Sequence, residues 1–277
     1  MSALQAILFA ILQGVTELFP VSSLGHAVIL PKLLGWQVDQ RSESFLPFLV
    51  VLHLGTAAAL LIYFRRDWWE IALALLGRGA ASERAANLRL LVLVVVGTVP
   101  AAIVGFALER PLRALFGSPA VAAAFLVANG VVLYAAERLK RRGGAPLASL
   151  DAKGAFLVGL WQCLALIPGL SRSGATMVGG LIAGLHHKEA ARFSFLLATP
   201  IIAGAGVLEV PKLMHAGAGD MGALALLAGL SAGVTAYLSV AFLMRYFGKH
   251  DFEALDPFAY YCAATGALAL LLLLFVV

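Results

Sequence analysis

Six stretches of this chain, residues 45–64, 90–108, 118–136, 193–210, 221–244 and 257–277, are long and apolar enough to cross a lipid bilayer. A crossing helix needs about 20 such residues. A soluble domain of this length has no core large enough to hide them, so lipid is the solvent for most of the chain. Composition agrees: 61% of the 277 residues are hydrophobic, 13% are charged, and the mean hydropathy is +0.93. These values exclude a cytosolic enzyme and a disordered segment. A net charge of +5 would suggest nucleic acid for a soluble protein. In a membrane protein it bears on sidedness instead, and nucleic acid is not an expected partner. Cys163 and Cys262 sit in apolar runs and read as small buried hydrophobes, and no Cys/His metal spacing occurs. The opening MSALQAILFAIL lacks a basic leader and a small-residue cleavage site, so it reads as folded protein and not as a signal peptide.

Two further apolar stretches are interrupted. Residues 1–31 are broken by QGVTELFPVSSLGH, Gln13 to His26, and residues 154–185 by QCLALIPGLSRSGAT, Gln162 to Thr176. Each arm is too short to span alone, so each stretch predicts a re-entrant helical hairpin. Irregular backbone at membrane depth is tolerated only inside protein or beside a wet cavity. Both halves then share one order, a broken hairpin followed by three spans. Phe45 and Phe48 open the first group of spans, Phe193 and Phe195 the second. Three is odd, so the second half starts on the opposite face. The expected fold is therefore an all-α polytopic membrane protein with six transmembrane helices and two re-entrant hairpins in an inverted repeat. It forms a single integral domain over 1–277, with repeats at 1–140 and 150–277. Such repeats place a site near the midplane, between the broken helices.

The basic residues are unevenly divided. Fourteen of the twenty Lys and Arg fall in the connections 65–89, 137–153, 186–192 and 245–256, and five fall on the other side. Cytoplasmic connections carry that excess, so both termini are expected to face outward. Trp68-Trp69 and Tyr260-Tyr261 fit interfacial belts, His186-His187-Lys188 an interfacial basic turn, and ERLKRR at 137–142 an orientation signal.

The breaks carry the chemistry. Gln13 and Glu17, four apart, share a helix face, with Thr16 beside them. Phe19-Pro20 ends that helix, and Ser22, Ser23, Gly25 and His26 follow. A helix cap explains one serine but not a carboxylate and a histidine at membrane depth, where charge is costly and mostly functional. The second break packs Gly169, Ser171, Arg172, Ser173, Gly174 and Thr176 into the nine residues from Pro168 to Thr176. Glycine admits a ligand to the backbone N–H groups, a helix N-terminus adds partial positive charge, and the arginine fork matches phosphate oxygens. A phosphate cradle follows. Glu17, Ser23, His26 and Arg172 are the candidate catalytic residues; Gln13, Ser22, Gly169, Ser171, Ser173, Gly174 and Thr176 are the candidate binding residues. The set suits phosphoryl transfer on a lipid that carries phosphate. Ser23 or His26 is the nucleophile, with Ser23 favoured, and Glu17 holds a cation or serves as base. Gln162 mirrors Gln13 and lines the cavity or bonds nearby backbone. His53, four residues after Leu49, reads as a packing or hydrogen-bonding residue and not as a catalytic one.

QGVTELFPVSSLGH and PGLSRSGAT resemble the two signature motifs of the bacterial undecaprenyl-diphosphate phosphatase family, also called the bacitracin-resistance protein family. The likeness extends over the whole chain in length, span order and both motifs. It implies hydrolysis of undecaprenyl diphosphate to the monophosphate and phosphate, which recycles the carrier lipid for peptidoglycan synthesis. It also implies resistance to bacitracin, which sequesters the diphosphate. The family's Glu/Gln-xxx-Glu pair falls on Gln13 and Glu17, its paired serines on Ser22 and Ser23, its histidine on His26, and its glycine–serine–arginine loop on Gly169 to Thr176. Leu24 departs from the familiar Thr, so a hydroxyl role there is lost. The resemblance implies a divalent cation, Mg²⁺ or Ca²⁺, with Glu17 as its candidate ligand, and a bacterial inner-membrane location with the site open to the outer face. The expected partners are the lipid diphosphate, membrane lipids and, as an open question, a second copy in a homodimer. The rival expectation is a flippase or transporter of prenyl phosphates that binds with Arg172 and cleaves nothing.

Overall fold

A computed structural model describes residues 2–36, 45–108, 118–139, 144–215 and 219–275. Among these, the regular structure is helical apart from one isolated bridge between Ala145 and Leu185. The first hairpin is α1 (Ala3–Thr16) and α2 (Ser23–Leu33). Then come α3 (Phe45–Tyr63), α4 (Arg65–Leu75), α5 (Ala81–Ala107) and α6 (Pro119–Leu139). The second hairpin is α7 (Ala152–Leu164) and α8 (Arg172–Ile182). The chain continues through α9 (His187–His215), α10 (Gly219–Lys249) and α11 (Asp256–Phe275).

Five helices are long and apolar enough to cross a membrane: α5, α6, His187–Val207 of α9, Ala223–Lys249 of α10, and α11. The helix 48–63 and α4, bent by 76°, form the only candidate broken span among the described residues. The protein is thus an all-α, multi-pass membrane protein. On α5, Val92, Val95, Val99, Ile103 and Phe106 are all exposed, at the three-to-four spacing of one helix face. In a bilayer that stripe meets lipid. α9 is the core helix instead, with Phe193, Phe195, Leu196 and Leu197 fully buried.

Both broken stretches fold back on themselves. The Phe9 ring stands 5.6 Å from Trp36, while Ser23 bonds Glu17 at the turn, so the first pair runs antiparallel. In the second pair, Gly179 lies against Val158 and Gly154 against Ala183, which is again antiparallel. The hairpins exchange partners between the halves: α1 packs on α10, and α7 packs on α5. Each crossing is close at a glycine. A Cβ on Gly14 would stand 2.5 Å from the Ala232 carbonyl oxygen, and one on Gly159 2.6 Å from that of Gly97. Small residues permit such approach where lipid supplies no hydrophobic drive between helices.

The structure differs from the sequence expectation at the polar ends. Helix α5 begins at Ala81, not near 90, and the expected connection 65–89 contains α4. Charged residues are tolerated in helices that emerge from lipid, so an apolar window ends before the helix does. The expected basic turn at 186–188 holds a buried histidine: His187 Nε2 lies 2.8 Å from Glu137 Oε2 and Nδ1 lies 3.2 Å from Asp251 Oδ1. Arg138 donates two hydrogen bonds to Asp256. These contacts tie the end of α6 to the starts of α9 and α11. Of the basic residues counted for sidedness, Arg41, Arg110, Arg113, Lys140, Arg141 and Arg142 lie outside the described residues.

Candidate active site

The two hairpin tips, about 150 residues apart in the chain, touch. Ser22 Oγ donates to the Leu170 carbonyl at 3.2 Å, and Ser173 Oγ to the Phe19 carbonyl at 3.0 Å. Asn129 of α6 clamps both: its Nδ2 donates to the Pro20 carbonyl at 2.9 Å, and its Oδ1 accepts from the Ser171 N–H at 3.0 Å. Asn129→Ala should therefore lower stability by about 2 kcal/mol, since it leaves a buried donor and acceptor short of partners. A thermal melt in detergent checks this.

Second arms α2 and α8 both begin at the tips. Ser22 caps α2 by accepting from the Gly25 N–H, and Ser171 caps α8 by accepting from the Gly174 N–H. Two helix N-termini therefore point into one place, each with partial positive charge. Ser22 adopts φ +67°, which costs a non-glycine residue about 1–2 kcal/mol. Its carbonyl, at 2.7 Å from His26 Nδ1, helps hold it there.

Glu17 sits at the centre, buried with four donors around it. Arg172 Nη2 donates to its Oε1 at 2.8 Å. Its Oε2 accepts from Ser23 Oγ at 2.6 Å and Gln13 Nε2 at 3.0 Å, and His53 Nε2 lies 3.1 Å away. The second arginine nitrogen, Nη1, donates to the Ser194 carbonyl at 3.1 Å.

A cavity of about 520 Å³ opens beside this cluster. Its polar wall is Glu17, Ser22, Ser23, His53, Thr98, Ser171 and Arg172, and the rest is apolar, including Leu24, Leu166, Phe106 and Ile201. Thr98 lies nine residues beyond Arg89 on α5, so it sits about 14 Å along that helix from the arginine. Gly105 and Phe106 line the cavity at the opposite end of α5.

Of the sequence-predicted residues, Glu17, Ser22, Ser23, Ser171 and Arg172 share the cavity wall. Gln13 reaches it only through Glu17. His26 points away: its Nε2 lies 2.9 Å from the Tyr261 hydroxyl, and the two rings stack. Tyr261, expected in an interfacial belt, serves that histidine. The Ser173 hydroxyl bonds the Phe19 carbonyl, and Thr176 Oγ1 donates to the Arg172 carbonyl at 2.7 Å and lies 2.6 Å from Ser194 Oγ. Gly169 and Gly174 shape the tip. Gln162 donates to the Gly97 carbonyl at 3.3 Å, so it is engaged with backbone. Asn129 and Ser194 escaped sequence reasoning because each stands beside apolar residues and finds its site partners in other elements.

A divalent cation finds no prepared site here. Among the described residues no group of three or more His, Cys, Asp or Glu could hold a metal ion. Glu17 spends its oxygens on protein donors. These residues do not fit a resident cation on that carboxylate.

The family described as bacitracin resistance protein BacA matches residues 6–268. The chain is 59% identical over 280 residues to a protein of Acidiphilium cryptum named undecaprenyl-diphosphatase, covering 99% of each. Proteins of that name from Granulibacter bethesdensis and Gluconacetobacter diazotrophicus are 56% and 53% identical, over 97% and 99% of this chain and 97% and 98% of their own lengths. Matching along nearly its whole length, the chain belongs to the bacitracin resistance protein BacA family.

Proposed function

We propose that the protein is an undecaprenyl-diphosphatase, hydrolysing the lipid diphosphate to the monophosphate and phosphate. Such turnover returns the carrier for cell-wall synthesis and lowers the amount that bacitracin can sequester. One observation carries the reading: two helix N-termini, Arg172 and a carboxylate-bonded serine meet at the polar end of an otherwise apolar cavity. An anionic head group with a prenyl tail has that same division. Relatives matched over nearly their full length carry the name of this activity.

Ser23 is the nucleophile in this proposal. Its hydroxyl donates to Glu17 at 2.6 Å and faces the cavity, whereas both His26 nitrogens are engaged elsewhere. Nucleophile and base within hydrogen-bond reach is the arrangement that activates a hydroxyl. Ser23 Oγ attacks the terminal phosphorus and its proton passes to Glu17. The anhydride bond breaks, its electron pair leaving with the lipid monophosphate, which takes up the Glu17 proton. Water then attacks the phosphoserine and gives a proton to Glu17. The Ser23–phosphorus bond breaks, and Ser23 regains the proton. Arg172 and the two helix ends neutralise charge on the phosphoryl oxygens throughout. His26 supports the left-handed Ser22 turn and so aims Ser23. All these groups come from one chain, so the chemistry requires no second copy.

The reciprocal packing of α1 on α10 and α7 on α5 supports an inverted repeat. The arginine-bearing start of α5 marks the cytoplasmic side in this reading. The cavity then opens outward from a bacterial inner membrane, and both termini face outward.

Purified protein given a short-chain isoprenoid diphosphate in detergent should release phosphate, and Ser23→Ala should not. Binding without release would favour the carrier reading. We further propose that the divalent cation arrives on the substrate's phosphates. EDTA should then stop release, Mg²⁺ or Ca²⁺ should restore it, and the melting temperature should stay unchanged throughout.

A further inference from the structure

Beyond the hairpins, a third element reaches the reacting centre. His53 belongs to α3, outside both signature motifs. Its Nδ1 lies 2.7 Å from the Leu49 carbonyl and its Nε2 lies 3.1 Å from Glu17 Oε2. Both ring nitrogens face oxygen acceptors, so the ring is pinned at each end. It also forms part of the cavity wall, with 23% of its side chain exposed there.

The geometry of Glu17 shows what that pin does. Oε2 meets Ser23 and Gln13 as well as His53, and Oε1 meets Arg172. Gln13 is on the same helix as the first turn of the break, so it restrains Glu17 only locally. Arg172 and His53 approach from the second hairpin and from α3. Together they fix the carboxylate plane against two separate parts of the fold. Without His53, Oε2 loses the one donor that does not come from its own hairpin. Gln13, Ser23 and Arg172 still hold the carboxylate, but it turns more easily about its terminal torsion, and the Ser23 contact is held less firmly.

We infer that His53 is a positioning residue for phosphoryl transfer, holding Glu17 in the orientation in which it accepts the Ser23 proton. This rests on the site reading above. A residue that merely fills space would need its ring and not its nitrogens, so substitutions that separate the two are decisive. His53→Phe keeps a ring and removes both nitrogens. His53→Gln loses the ring but can place an amide N–H near the position of Nε2. His53→Asn carries the same amide on a stem too short to reach Glu17.

Phosphate release from a short-chain isoprenoid diphosphate is measured for each variant, with melting temperature as a control for folding. His53→Phe and His53→Asn should lower kcat by roughly 30-fold or more with KM changed less than about 3-fold, and His53→Gln should recover most of the loss. If Phe is as active as the wild type, or if Gln is no better than Phe and Asn, the inference is overturned. Should Phe fail to fold, the comparison of Gln with Asn decides by the same rule. Glu17→Ala separates the two levels of the argument. If it retains turnover, the site reading itself fails. If it abolishes turnover while His53→Asn does not, only the role given to His53 fails.

Discussion

Arg172→Met should abolish measurable turnover and also destabilise the fold, and adding Glu17→Gln should restore the second property but not the first. The guanidinium bonds Glu17 through one nitrogen and the Ser194 carbonyl through the other. It therefore joins the first hairpin, the second hairpin and α9 at one point. Removing it leaves a buried carboxylate without its ionic partner, a change that costs about 3–5 kcal/mol. Neutralising Glu17 removes that unpaired charge, so the double variant should melt near the wild type. It should still be inactive, because the phosphoryl oxygens have lost their fork and Ser23 its base. Arg172→Lys tests geometry apart from charge. A lysine keeps the charge but cannot bond two acceptors in one plane, so kcat should fall about 100-fold or more. Phosphate release and thermal melting of the three variants in one detergent would check this. Turnover within about 10-fold of the wild type in either arginine variant would contradict the mechanism.

How much of this was legible in the chain depended on where the polar residues were. Glu17 and Arg172 stood out because a charge inside an apolar run is expensive and needs a purpose. Their mutual bond, across 155 positions, is the kind of contact that only a folded hairpin pair can create. Ser173 and Thr176 were legible as hydroxyls near a phosphate cradle, but not in their direction. Each sits on the far side of the α8 turn, bonded to backbone or to Ser194. Residue type gave the chemistry, and helix rotation decided which groups face the cavity. His26 illustrates the same limit, since one turn of α2 separates it from Ser23 and aims it at Tyr261. His53 was read as a packing or hydrogen-bonding residue near Leu49, and its Nδ1 does meet the Leu49 carbonyl, but nothing local announced its second partner, Glu17. Asn129 lay in an ordinary-looking span, and its partners come from the two hairpin tips.

The fold was legible where lipid imposes a length and less so where water resumes. Among the described residues, all six apolar stretches fall mainly on helices of the structure, and both interrupted stretches break where the Pro-Ser-Gly segments stand. Helix ends were misjudged at Ala81 and His187, where charged side chains continue a helix beyond its apolar stretch. α4 was missed for the same reason: RRDWWEIALAL is amphipathic and too polar for a span, yet it forms a helix that turns away from α3.

Gly169→Ala is expected to damage both folding and turnover, although it adds only one methyl. The residue has φ +100°, in the region that side chains avoid, and a Cβ there would stand 2.2 Å from the Ala122 carbonyl oxygen and 2.8 Å from the Leu126 nitrogen. Those atoms are α6 backbone and cannot swing aside, so the tip of the second hairpin must withdraw. Left-handed strain of about 1–2 kcal/mol adds to an overpacking cost of about 1–3 kcal/mol. The withdrawal also moves Ser171 and Arg172, two and three residues on, away from Glu17 and Ser23. A shift near 1 Å at a reacting centre costs about 100-fold in rate, so activity should fall in the molecules that still fold. Gly184→Ala supplies the comparison. Its φ is +93° but nothing lies within 4 Å of its would-be Cβ, so it carries the strain without the collision. That variant should lose only about 1–2 kcal/mol and retain turnover. Equal melting temperatures and equal phosphate release for the two alanine variants would mean that the hairpin tip is not seated on α6 as described.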